Sequence, residues 1–527
     1  MHSCLLVDEI LKRILGHSDT RALYNVSLVC RAFSEPANDE LWAELPGLAP
    51  LVMCLPNSLL RASNPSFYAL LTIVRPPLPS EWHRFDHHAR RVKRITVPDP
   101  EELDSNALEI LTARHPGPIL PRVQYLTWQN WDLAEFAPFF ITPTLVYLEF
   151  EPAEEAVCAV LKRVQTSAPQ LQWLALGTLD HQLQGSDDHA VFTETLLSLN
   201  HLVGLDWSHV PLQSKALAHL SRLPLFASLS LFLLNHDKKP WTSSGWGGFP
   251  ALKSLSLMPD ERNDVAIPCA PFLRALSGAN LTNLRVKIPP TVRPGEFAEL
   301  VSAIGHLRRL VSLDIQFDQV DVDPWGAVII DGRALSPLYA IQGIQSFKMA
   351  RAPTRLDPQS IRELASAWRN INTLVLTPPS PARCYMHLSD FIAFTRTFHM
   401  LTRLTIEVRL VDESDACELS AELFWPPSPL LDLHLCETRI ARPAEAQVAD
   451  YLARIFPFAR LHHTLDIASW RMREAAAEYI EAAAVLDNVD RLKQELKKGV
   501  LARVSAAMQE RTVDTSRSGG RTDFSIV

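Results

Sequence analysis

The feature that most limits what this chain can become is a short pattern that keeps returning: apolar residues at the first, fourth and sixth places of a six-residue run. It occurs at Val92/Ile95/Val97, Val123/Leu126/Trp128, Leu145/Leu148/Phe150, Leu171/Leu174/Leu176, Leu202/Leu205/Trp207 and Phe226/Leu229/Leu231. It goes on at Leu252/Leu255/Leu257, Leu281/Leu284/Val286, Leu310/Leu313/Ile315, Ile344/Phe347/Met349, Ile371/Leu374/Leu376, Leu401/Leu404/Ile406 and Leu430/Leu433/Leu435. The twelve steps from Val92 to Leu430 average about 28 residues, with single steps from roughly 22 to roughly 34. One such run would carry no weight in a leucine-rich chain. Thirteen in order describe a solenoid whose spacing varies in its outer connections.

The segments between these runs have helical spacing. Ala156, Val157, Val160, Leu161 and Val164 form one apolar stripe, and Phe297, Leu300, Val301 and Ile304 form another. Ile361, Leu364, Ala365 and Trp368, then Phe391, Phe394, Thr395 and Phe398, then Val448, Tyr451, Leu452 and Ile455, repeat the theme. A strand and a helix alone cannot bury their apolar faces, so the predicted fold is an α/β stack with parallel strands side by side and helices behind them. The 39 prolines against 18 glycines suit many short elements joined by stiff connections. The pattern resembles the leucine-rich repeat over residues 90–468. That resemblance implies a curved solenoid, strands concave and helices convex, although the Asn or Cys that usually follows the strand is mostly replaced here.

A second pattern lies at the start: Leu6-Val7-Asp8-Glu9-Ile10-Leu11, Ile14-Leu15, Leu23, Leu28-Val29-Cys30-Arg31, Phe33 and Leu41-Trp42. Residues 6, 10 and 14, and equally 7, 11 and 15, line a helix face. Ser18 or Asp19 can cap a second helix, and Pro36 is expected to punctuate the chain before Leu41-Trp42. With Glu9-Ile10 followed by Leu23, Leu28-Val29-Cys30-Arg31, Phe33 and Leu41-Trp42, the segment looks like an F-box, with Val7 where that family carries proline. Together the two patterns are similar to F-box/leucine-rich-repeat proteins of the fungal kind. The resemblance implies that Leu6, Val7, Ile10, Leu28, Val29 and Phe33 form an adaptor-binding surface for an Skp-family protein and, through it, a cullin. Cys30 and Trp42 would be internal.

Composition narrows the rest. With 47% hydrophobic and 21% charged residues the chain can fill a core, and it has no apolar run long enough to span a bilayer. A net charge of −8 gives no reason to expect a nucleic-acid partner. The first residues lack a secretory pattern, so a cytoplasmic or nuclear location is expected. The eight cysteines are scattered without metal-ligand spacing, and neither His83/His87/His88, expected in a solvated loop, nor His462-His463 makes a metal face. No nucleophile elbow, phosphate loop or dinucleotide fingerprint stands out. No cofactor, metal or catalytic residue is expected, and the chain is read as not an enzyme.

The third and fifth places of each run point away from the core and would face a ligand. Along the third place Tyr125, Tyr147 and Trp173 follow one another, a candidate substrate-binding ladder, because Tyr and Trp anchor interfaces. Packing of these rings on each other or on the segment near residues 50–85 explains them equally well. The expected organisation is an F-box-like domain at 1–48, a linker at 49–89, the solenoid at 90–468, a helical cap at 469–510 and a disordered tail at 511–527. The expected function is substrate recognition in an SCF-type cullin–RING ubiquitin ligase, holding an unknown protein target. A repeat scaffold with no ubiquitin role, its first helices only a cap, is the alternative, and a hydrolase site assembled from distant residues is a more remote one.

Overall fold

In a computed structural model of the chain, the residues described are 8–62, 70–100, 103–114, 117–151, 154–177, 186–233, 248–259, 269–276, 278–289, 292–317, 329–352, 354–378, 388–406, 429–434, 445–456, 459–462 and 489. Leu6 and Val7, the cap expected at 469–510 apart from Val489, and the tail at 511–527 lie outside them. Two compact units divide the chain: Met1–Asn263 with Pro271–Leu281, and Asp264–Ala270 with Thr282–Val527.

All thirteen runs are strands, each beginning at the third place of its run. In the first unit, parallel strands follow chain order, and their first residues stand in one row: Glu44, Arg94, Tyr125, Tyr147, Trp173, Gly204, Ser228 and Ser254. In the second, the row is Asn283, Ser312, Ser346, Thr373, Arg403, Asp432 and Arg460. Two rungs were not legible beforehand. Glu44–Leu45 precedes the first run, and Arg460–His462 follows the last.

The fourth and sixth places fill the core, as alternation requires. Leu126, Leu148, Leu174, Leu313 and Leu404 are fully buried, as are Trp128, Phe150 and Ile315. The helices Glu154–Ser167, Pro294–Gly305, Pro358–Ala367, Leu388–Thr397 and Glu445–Ile455 coincide with the apolar stripes and bury Val157, Val160, Phe297, Leu300, Ile361 and Tyr451. Among the described residues, most successive strands are joined through a helical or 3-10 segment, the arrangement of a leucine-rich-repeat solenoid.

Three expectations for the first hundred residues need correction. The described residues of 49–89, namely 49–62 and 70–89, are packed structure instead of the expected linker, with a short antiparallel pair, Leu60–Ala62 against Leu71–Ile73, and a helix, His83–Ala89. Leu51, Val52, Leu59, Ile73, Trp82 and Phe85 are buried there. Several short elements, each contributing one or two apolar contacts, leave no period for sequence reading to find. The same helix carries His83, His87 and His88, so these are not in a solvated loop. Pro36 does not end the chain's third helix, Arg31–Leu41, but lies inside it. Proline removes a single i→i−4 donor, and packing of the helix ends on neighbouring helices outweighs that loss.

A core position and its outward neighbour differ sharply in what they support. Leu126→Ala should lower stability by about 2–5 kcal/mol in urea unfolding followed by circular dichroism. Thr127→Ala, half-exposed on the same strand, should cost under about 1 kcal/mol.

Candidate functional site: two protein-interaction surfaces

The first surface is carried by three short helices, α1 (Asp8–Leu15), α2 (Thr20–Ser27) and α3 (Arg31–Leu41). Asp19 caps α2, its carboxylate accepting from the Ala22 backbone N–H at 2.7 Å. Leu11, Leu15, Leu23 and Ala37 form a small core, with Val26, Phe33 and Leu41 packed against it. Of the two apolar stripes on α1, the one through residues 11 and 15 therefore turns inward. The stripe through Ile10 and Ile14 is exposed, and so are Tyr24, Leu28 and Val29, the last two at 68% and 67%.

Of the residues expected to form the apolar surface, Ile10, Leu28 and Val29 are exposed, while Phe33 packs against the small core. Ile14 and Tyr24 join the exposed set. Their signal was present in the sequence, since Ile14 belongs to the 6/10/14 stripe, but periodicity alone did not say which stripe faces out. Cys30 and Trp42 are half-buried.

A polar clamp fixes these helices to the solenoid. Arg91, its side chain only 9% exposed, bonds Glu35 at 2.5 Å and Asp39 on α3, and lies 2.9 Å from His87 Nε2. Trp42 stacks on His88 with ring centroids 4.0 Å apart. Beneath them, Asp86 holds Arg114 through two bonds of 2.9 and 2.7 Å, and the Arg114 guanidinium lies 4.1 Å over the Trp82 ring. The backbone completes the joint, because the Ala43 carbonyl accepts N–H bonds from both Lys93 and Arg94 at 2.8 Å.

The second surface is the outward face of the first unit's strands. Tyr125 and Tyr147 lie 6.0 Å apart, and Tyr147 and Trp173 are stacked at 6.2 Å with planes 13° apart. The Arg94 guanidinium covers the far side of Tyr125 at 4.2 Å and reaches Glu44 at 3.9 Å. The Tyr147 hydroxyl donates to Glu149 at 2.8 Å. At the other end Trp173 lies over Gly204, where a Cβ would stand 2.1 Å from the ring. The three aromatics expected as a ladder are together, half-buried against one another.

Among the described residues, no group of three or more His, Cys, Asp or Glu is placed to hold a metal ion, and no helix is long and apolar enough to cross a membrane.

An F-box-like family profile matches residues 8–45. No curated protein matches the chain. Among solved structures, the leucine-rich repeat-containing protein LegL7 from Legionella pneumophila is similar at 13% identity, over 51% of this chain and 84% of that one, with a TM-score of 0.33. A TLR13–ssRNA13 complex is similar at 14% identity over 72% of this chain and 52% of that chain, about half its length, with a TM-score of 0.32.

Burial, together with the nearby His87, Arg91 and Arg84 cations, holds the His88 pKa down at about 4. An unfolded chain takes up that proton near pH 6.5. Between those values the unfolded state binds more protons, so stability should fall as pH drops from about 6.5 towards about 4. Glu35, held below the usual carboxylate range by its bond to Arg91, adds a loss only below about pH 4.5. Thermal unfolding across pH 7 to 5 should show this slope, and His88→Phe, which keeps a ring against Trp42, should flatten it. Arg91→Ala should cost about 1–3 kcal/mol and speed amide exchange in α3, measured by mass spectrometry.

Proposed function

We propose that this chain, in which an F-box-like segment stands ahead of a stack of parallel strands of the leucine-rich-repeat kind, is the substrate-recognition adaptor of an SCF-type cullin–RING ubiquitin ligase. The observation that carries this reading is the exposed apolar group Ile10, Ile14, Leu28 and Val29 set on a packed three-helix core within residues 8–45. A module whose own core is already filled has no internal use for those side chains. Burying each against a partner is worth roughly 1–2 kcal/mol, enough together for a specific complex. F-box modules bind Skp-family adaptors, and that is the partner this patch fits.

In this reading the solenoid holds a protein target, and the helices bring it to the ligase. The gain is one of local concentration: target lysines are kept near the ubiquitin-conjugating enzyme, and this chain contributes position instead of chemistry. The Arg91 clamp favours the proposal in one respect, since a stiff joint restricts where a held target can wander. It also favours the plainer alternative, in which α1–α3 only close the first rung of an interaction scaffold with no ubiquitin role.

Titration calorimetry with a purified Skp-family adaptor separates them. The adaptor should bind, and Ile10→Asp or Leu28→Asp should each weaken it by about tenfold or more without moving the thermal midpoint beyond a few degrees. A chain that binds no adaptor at micromolar concentration is the scaffold.

A further inference from the structure

Charge on the outward face of the second unit's strands follows a repeated order. Two half-buried carboxylates each stand in register between two exposed cations, Asp314 between Arg285 and Lys348, and Asp432 between Arg403 and Arg460. In both triplets an ion pair forms on the earlier side: Nε of Arg285 lies 3.4 Å from Asp314, and Nε of Arg403 lies 3.4 Å from Asp432. Lys348 and Arg460, on the later side, form no ion pair or side-chain hydrogen bond with any described residue. Each triplet therefore carries one cation in excess. The acids also lie low and the cations high, since the Asp314 and Asp432 side chains are 19% and 28% exposed against 53% and 67% for Arg285 and Arg403. A guest approaching this face meets positive charge first.

Shape and chemistry narrow the guest. The third places between the triplets hold Ser312, Ser346 and Thr373, small side chains that let a backbone lie close. No Tyr, Trp or Phe fills a third or fifth place in the described strands from Asn283 to His462, so the bases of a single-stranded nucleic acid would have no ring to stack on. The two fixed carboxylates also interrupt the continuous basic track that a phosphate backbone requires. Separate excess cations suit separate carboxylates.

We infer that this face docks an extended, acidic segment of a partner protein, its carboxylates held at Lys348 and Arg460 with Arg285 and Arg403 beside them. The inference rests on the reading of the solenoid as the target-holding part, and it names the chemical class of that target. Lys348 and Arg460 are four rungs apart, roughly 20 Å at the spacing of parallel strands. An extended chain advances about 3.3 Å per residue, so acids about six positions apart match the two cations.

The test uses the full chain without any adaptor, at low ionic strength where surface charges are least screened. The probe is a fluorescein-labelled Gly/Ser peptide with two Glu-Glu pairs centred about six positions apart, read by anisotropy. A peptide with lysines in the same places and an oligothymidine of the same charge complete the set. The glutamate peptide should bind, and the lysine peptide and the oligothymidine should not. The double variant Lys348→Gln/Arg460→Gln should weaken binding about fivefold or more, and Asp314→Asn/Asp432→Asn, which removes the opposing charges, should tighten it. Lys162→Gln/Lys215→Gln, which takes the same charge from exposed helical positions, should leave binding unchanged. No binding of the glutamate peptide, equal loss in the two lysine-bearing double variants, or equal binding of the oligothymidine would overturn the inference. Adaptor titration on the same proteins reports separately on the ligase reading, so either can fail alone.

Discussion

One backbone arrangement underlies the whole stack. At rung after rung, a single carbonyl at the second place of one run accepts the N–H groups of both the second and third places of the next. Lys93 receives Gln124 and Tyr125, Gln124 receives Val146 and Tyr147, and Val146 receives Gln172 and Trp173, all between 2.7 and 3.0 Å. The second unit repeats it, with Thr282 receiving Val311 and Ser312, and Asn372 receiving Thr402 and Arg403. Because these groups are satisfied only by a neighbour, no rung is stable by itself, and stability belongs to the run of rungs. The bond involves no side chain, which is why the second place tolerates Lys, Gln, Val, Ala and Asn alike.

The same bond explains how a helical module of different ancestry of contacts is joined to the repeats. Ala43, two residues past α3, supplies the carbonyl for Lys93 and Arg94 and so acts as the rung before the first. Arg91, Glu35 and Asp39 then brace α3 from the side. Capping a solenoid and presenting an apolar patch are compatible because different faces do the two jobs: α3 turns acids towards Arg91, while Ile10, Ile14, Leu28 and Val29 stay outside.

What the sequence made legible follows from where physics constrains side chains. The fourth and sixth places must fill a dry interior, so thirteen strands could be recognised from leucines and their equivalents. Glu44–Leu45 and Arg460–His462 escaped because the sixth place of their runs is Gly47 and His463, so the apolar triplet is incomplete. Residues 49–89 escaped for a related reason: Leu51, Leu59, Trp82 and Phe85 are core residues of separate short elements with no shared period. On α1, two stripes were equally apolar, and only the packing of Leu11 and Leu15 on Leu23 decided which was inside. The ladder's residues were legible from place alone, but its termination was not, since nothing in the sequence says that Trp173 lies flat on Gly204.

Fixed register also makes the solenoid a measuring stick. Trp173 stands four rungs from Glu44, and at about 4.8 Å per rung the distance is roughly 20 Å. Anything resting on the stacked rings is thus carried at a set offset from α1–α3, and inserting or deleting one complete repeat between them would change that offset by a whole step, leaving both ends chemically intact.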